Sequence, residues 1–232
     1  SGVVRLYRWI VMIDYLIDAD TQLFLFFNGM HVDYLDRFMM IFTGRFVWVP
    51  MYAALLYVVL RDSTPRRAIT TVLCVVLAIV LADQFCGHLL RPLVGRLRPS
   101  NLENPVSAMA QIVDGYRGGM YGFPSCHAAN SFALAAFCAL LLRTRRSAIF
   151  IFIWAAMNSY SRLYLGVHYP GDLLAGAFFG VIFGWLCFRL SVLVDRGGWH
   201  DEAVWHGKLR VSDFVMLSGI ATAAVIAVAA LF

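Results

Sequence analysis

A histidine and an aspartate four positions apart, in His168-Tyr169-Pro170-Gly171-Asp172, stand at the start of an apolar run. At that spacing the carboxylate can hold one ring nitrogen and leave the other free to attack an electrophile. Upstream lie Ser161-Arg162 and the fragment Arg91-Pro92-Leu93-Val94-Gly95-Arg96-Leu97-Arg98-Pro99. Arg91, Arg98 and Arg162 offer planar, permanently charged forks that match the oxygens of a phosphoryl group. A third fragment, Phe123-Pro124-Ser125-Cys126-His127, opens another apolar run. The backbone N–H groups of Ser125 and Cys126, at a helix N-terminus, favour a bound anion. His127, one turn into that helix, is placed to give a proton to a leaving oxygen. A nucleophile, an orienting acid, an acid catalyst and a positive cradle make up phosphoryl-transfer machinery that needs no metal.

Apolar helices must carry these groups. The chain of 232 residues is 61% hydrophobic and only 14% charged, with a mean hydropathy of +0.72. Soluble domains run at about half apolar and about a quarter charged, so this composition points to a membrane protein. Six segments reach the roughly 20 apolar residues that cross a bilayer: 43–61, 68–90, 126–143, 147–164, 170–190 and 211–231. Pro50 falls inside the first of them, and neighbouring helices can satisfy the carbonyl it frees. Residues 3–42 carry Arg5, Arg8, Asp14, Asp18, Asp20, Asp33, Asp36 and Arg37, too many charges for a span. They read as one or two amphipathic helices lying in the interface. The expectation is an all-α polytopic bundle forming a single domain over 1–232, with an interfacial segment 1–42 and a six-span core 43–232.

By parity of crossings the three fragments meet at one membrane face. Arg61, Arg66, Arg67, Arg143, Arg145, Arg146, Arg189, Arg196, Lys208 and Arg210 gather in loops of the opposite face, which the positive-inside rule makes cytoplasmic. The net charge of +5 is scattered between the apolar runs, with no basic stripe for nucleic acid. The opening residues lack the apolar core and small-residue site of a cleavable signal. Cys74, Cys86, Cys138 and Cys187 lie in apolar runs without metal-ligand spacing and read as small buried hydrophobes. Asp83 and His88 are ionisable groups within a span, five residues apart, and need not share a helix face. Holding the arginines in place from behind and simple interhelical hydrogen bonding stand level for them. His200 and His206 read as residues of a solvated loop, and the cluster His31, Asp33, Asp36 and Arg37 receives no role.

The three fragments resemble the signature of the type 2 phosphatidic acid phosphatase family: Lys-x6-Arg-Pro, Pro-Ser-Gly-His, and Ser-Arg-x5-His-x3-Asp. Ser161-Arg162, His168 and Asp172 satisfy the third part in full, and the spacing holds in the other two. Arg91 stands where the family has lysine, and Cys126 where it has glycine. The resemblance implies that His168 attacks phosphorus, oriented by Asp172. It implies that Arg91, Arg98, Arg162, Ser125 and the amides at 125–126 hold the phosphate, and that His127 serves the leaving group and then water. It also implies no metal and no cofactor. The partner would be a membrane lipid presenting its phosphate at the outer, periplasmic face of a bacterial inner membrane. The runs Gly115–Phe123 and Asp20–Gly29 are similar to a bacterial subgroup described as lipid A phosphatases. Lipid A phosphate therefore ranks first as substrate, with undecaprenyl diphosphate close behind. A lipid-to-lipid phosphotransferase would share every catalytic residue and differ only in the acceptor. A non-catalytic scaffold would have no reason to keep His127, His168 and Asp172 in register.

Overall fold

A computed structural model of the chain describes residues 2–195 and 212–232. Helices account for most of these residues: α1 (Gly2–Asn28), α2 (Asp33–Phe42), α3 (Val49–Arg61), α4 (Pro65–Gln84), a short α5 (Arg91–Val94), α6 (Cys126–Leu142), α7 (Arg145–Tyr164), α8 (Pro170–Val194) and α9 (Asp213–Ala229). An isolated bridge between Leu97 and Tyr121 is the nearest approach to a sheet among the described residues. His200 and His206 lie outside them.

Close packing of α6 against α8 sets the frame. Gly176, Gly180 and Gly184 repeat every four residues and form one stripe on α8. A Cβ on any of them would come within 2.3–2.4 Å of the carbonyl oxygens of Ser125, Ala129 and Ala133 on α6. Small residues on both sides let the two backbones approach, the usual way apolar helices pack where no water drives them together. That approach has a direct effect one turn above the stripe, where the Ser125 N–H donates to the Asp172 carbonyl at 2.9 Å. Two of the sequence fragments are thereby joined through their backbones.

The bundle is apolar on its outside and partly polar within. Ile69, Leu73, Leu174, Phe178 and Val225 are exposed, whereas Ser131, Asn158, Ser159 and Thr222 are buried. Lipid favours that arrangement and water does not. Two helical stretches, Pro65–Val94 and Pro170–Val194, are both long and apolar enough to cross a bilayer; α3, α6 and α9 are shorter apolar helices.

Several expectations shift in detail. The first expected span is shorter than 43–61: α3 begins at Val49, after a turn that Trp48 closes by donating its indole N–H to the Phe42 carbonyl at 2.8 Å. Pro50 accordingly sits in the first turn of α3, where its missing N–H costs no helical bond. Between α4 and α5 the chain widens into a π-helical turn, Phe85–Leu90. Residues five apart share a face in that geometry, so Asp83 and His88 line one cavity together. Asp83 accepts from Asn130 Nδ2 at 3.0 Å, an interhelical hydrogen bond to α6. At the far end of the bundle, Arg67 of α4 stands 4.0 Å from Asp195 after α8.

Residues 3–42 form two helices, and the inner end of α1 packs against the site. Asp20, Phe24 and Asn28, four residues apart, share a face of α1. Phe24 is fully buried against Tyr169, with ring centroids 5.3 Å apart. Asn28 donates to the carbonyls of Tyr164 and Gln111 and accepts from the Gln111 N–H. Behind it, Asp36 joins His31 Nδ1, at 2.8 Å, to the hydroxyl of Tyr164, which fastens α2 to the end of α7.

Candidate active site

The three fragments converge at one end of the bundle. His168 follows α7 in a tight connection, and Asp172 occupies the third position of α8, reaching back to accept from the Tyr169 N–H at 3.0 Å. The same carboxylate oxygen lies 3.3 Å from His168 Nδ1. Both side chains are buried, at 3% and 0% exposure. Arg98 Nη1 lies 3.0 Å from His168 Nε2. A guanidinium can only donate, so this contact assigns the lone pair to Nε2 and the ring proton to Nδ1, facing Asp172. The lone pair of Nε2 thus points at the Arg98 guanidinium.

Arg98 is held in the loop by two further donations, from Nε to the Tyr121 carbonyl at 3.0 Å and from Nη1 to the Val167 carbonyl at 3.1 Å. Burial, with Arg91 and Arg162 nearby, lowers its pKa to about 10, which leaves it charged at neutral pH. Burial also drives the His168 pKa well below the usual histidine value, and Arg98, Arg162 and Arg91 push it the same way. The ring is therefore neutral in the folded protein and stays neutral as the pH falls through 6.5, its ordinary value. Nitrogen NMR of histidine-labelled protein in detergent is expected to keep His168 in its neutral Nδ1–H form at about pH 5.5. A half-protonated ring near pH 6.5 would overturn this assignment.

Arg162, at the end of α7, donates to Thr43 Oγ1 at 3.2 Å and to the Tyr116 hydroxyl at 2.8 Å. Arg91 donates to the Pro124 carbonyl and to Cys126 Sγ, both at 3.0 Å. Ser125 is fully buried; its hydroxyl accepts from the Ala128 N–H at 3.4 Å, and its own N–H is taken by Asp172. In this structure Ser125 caps α6 and couples it to α8, and its amide is not free for an anion. Gly122 packs under the His–Asp pair, where a Cβ would come 2.8 Å from Asp172 Oδ2.

Beside these groups opens a cavity of about 900 Å³. Arg91, Arg98, His127 and Arg162 line its charged end, with Arg45 and His88 also on the wall. The cavity continues between α3, α4 and α6 past Leu55, Val72, Val75 and Leu134. A cluster of positive charge and apolar walls thus share one partly open space. Sequence reasoning missed Thr43, Tyr116, Arg96 and Gly122. Their roles arise from contacts far apart along the chain; the signals in the sequence are the 115–123 run for Tyr116 and Gly122 and the Arg91–Pro99 fragment for Arg96.

Residues 69–195 match the PAP2 superfamily. The chain belongs to that superfamily. It is 56% identical over 180 residues, covering 78% of this chain and 80% of the other, to the lipid A 4'-phosphatase of Bacteroides thetaiotaomicron. It is 30% identical over 211 residues to the undecaprenyl-diphosphatase of Sulfolobus acidocaldarius, covering 84% and 94% of the two chains. Its fold is similar to the crystal structure of the transmembrane PAP2-type phosphatidylglycerolphosphate phosphatase from Bacillus subtilis, with a TM-score of 0.58 at 17% identity over 84% of this chain and 98% of that one.

Within the PAP2 pattern this chain departs at Arg91 and Cys126, and these two side chains touch. The thiol also fills the space above Gly87, whose Cβ would lie 3.2 Å from Sγ. The longer guanidinium and the added thiol therefore form one unit, and neither change stands alone. Arg91→Lys and Cys126→Gly are each expected to lower kcat/KM by about tenfold, and the double variant to lose less than the product, a coupling of about 1 kcal/mol. Steady-state kinetics of the four proteins measure it; strict additivity would mean that the contact carries no function.

Proposed function

We propose that this PAP2 protein is a membrane lipid phosphatase that works through a phosphohistidine on His168. The arrangement that carries the reading is the buried His168–Asp172 pair, with its unprotonated Nε2 turned to Arg98 at the charged end of a cavity whose other end is apolar. A lipid phosphate entering that cavity draws the Arg98 guanidinium from Nε2 onto its own oxygens. Nε2 then attacks phosphorus and the bond from phosphorus to the lipid oxygen breaks. His127 gives its proton to that oxygen. Water attacks the phosphohistidine, His127 takes a proton from it, the P–N bond breaks, and inorganic phosphate leaves. Arg91, Arg98 and Arg162 hold the negative charge of the five-coordinate transition state, the term that dominates phosphoryl transfer.

Lipid A phosphate is the substrate that the reading places first. The Bacteroides relative supports it, since its 56% identity reaches across most of both chains. Undecaprenyl diphosphate is the second reading, supported by the Sulfolobus relative. The six segments named above, with α1 and α2 at the interface, form the membrane domain. The arginine-rich ends of α4 and α7 face the cytoplasm, and the catalytic end faces the periplasm of a bacterial inner membrane. Phosphate release by the purified protein in detergent, with chelator present, tests the reading on lipid A, undecaprenyl diphosphate, phosphatidylglycerol phosphate and phosphatidic acid. Release from lipid A ahead of the others is the expected result. No release from any of them, or transfer to a second lipid in place of free phosphate, would overturn hydrolysis as the function.

A further inference from the structure

Asp20 lies in the charged opening segment, outside the part of the chain that matches the PAP2 pattern, yet it reaches the catalytic pair. Its Oδ2 stands 2.7 Å from Arg96 Nη1. The same Arg96 nitrogen donates to Asp172 Oδ1 at 3.1 Å. The other oxygen of Asp20 accepts from the Gly171 N–H at 2.7 Å. That N–H belongs to the first turn of α8 and has no partner within the helix. Gly171 leaves room for the approach, because a Cβ there would come 2.9 Å from Asp20 Oδ2. Arg96 is fixed from a further side by the ring of Tyr169, 3.9 Å below its guanidinium carbon.

We propose that Asp20 is a positioning residue for the phosphatase reaction: it holds Arg96 off Asp172 Oδ2 and pins the start of α8, so that Asp172 keeps His168 aimed at phosphorus. The inference rests on the function proposed above. One Arg96 nitrogen is shared between two carboxylates, so its place is set by both. Without the charge of Asp20, Arg96 is drawn wholly onto Asp172, where its fork competes with His168 Nδ1 for the carboxylate. The position of Asp20 is itself fixed, because Phe24 and Asn28 anchor the same face of α1 against Tyr169 and the Tyr164 carbonyl. Asp20 touches no substrate in this account and acts only through Arg96 and Gly171.

Asp20→Asn keeps the shape, removes the charge, and is expected to lower kcat by about tenfold while KM stays within about twofold. Arg96→Gln is expected to lower kcat likewise, and the double variant to be no slower than Arg96→Gln alone, since asparagine keeps an oxygen for the Gly171 N–H and the lost charge works through Arg96. Gly171→Ala is a second probe that leaves every charge in place; its Cβ displaces Asp20 and should reproduce the loss in kcat. All are measured on the full chain in detergent, with phosphate release from the wild-type protein's best lipid. Wild-type kcat in Asp20→Asn or in Gly171→Ala, or a double variant slower by the product of the two single losses, would overturn the inference. A wild-type protein that releases no phosphate would instead sink the reading of function, so the two failures are told apart.

Discussion

His168→Ala is expected to abolish phosphate release, a loss of about 10⁴-fold or more. The buried imidazole turns the lone pair of Nε2 to Arg98, 3.0 Å from Nη1, and Arg98 lines the charged end of the cavity. Alanine removes that electron pair and leaves Arg98 with its donations to Tyr121 and Val167. The cradle and the apolar channel would survive, so lipid would still bind. A direct attack by water lacks the placed nucleophile that Nε2 supplies. Inorganic phosphate measured against wild type in the same detergent checks it, with lipid binding as the control for folding. Near-normal release from the variant would remove His168 from the chemistry.

Asp172→Asn is expected to cost about 10³- to 10⁴-fold in kcat with little change in KM. One carboxylate oxygen receives Arg96, and the other receives both His168 Nδ1 and the Tyr169 N–H. Every neighbour is a donor. An amide must therefore turn its NH2 either towards Arg96 or towards the imidazole, and each choice sets two donors against one another. Facing the ring, it moves the imidazole proton to Nε2 and removes the attacking pair. Facing Arg96, it releases the arginine that sets the carboxylate's place. Burial makes the mismatch expensive, because Asp172 is fully enclosed and water cannot relieve it. Loss through KM, with kcat intact, would assign Asp172 to binding and not to orientation of the ring.

How much of this was legible in the sequence depends on where the contacts lie. His168 and Asp172 are four residues apart across a helix start, so spacing alone foretold their meeting. The arginine and histidine fragments stood at the ends of apolar runs, and counting crossings brought them to one face. The stripe Gly176, Gly180, Gly184, which draws α6 onto α8, is also legible in the sequence as a small-residue repeat of four. A regular α-helix separates residues at the interval of Asp83 and His88; the π-helical turn Phe85–Leu90 brings them to one wall. In the sequence Asp20 is a charge that excludes a span and the first residue of the Asp20–Gly29 run. Its partners Arg96 and Gly171 lie far along the chain, and no periodicity within α1 names them. Ser125 shows the converse: a motif residue expected at the phosphate spends its amide on Asp172 and its hydroxyl on the helix cap.

The most direct test of the phosphohistidine is to trap it. When the preferred lipid is added in excess to the wild-type protein and the reaction is quenched within its first turnovers, the phosphorylated protein should be caught before water releases it. The quench must be alkaline, since phosphohistidine is lost in acid. Peptide mass analysis is then expected to find one phosphoryl group on His168 and none in the His168→Ala protein. Turnover of the lipid with no phosphorylated residue, or with the phosphoryl group on another side chain, would contradict the account.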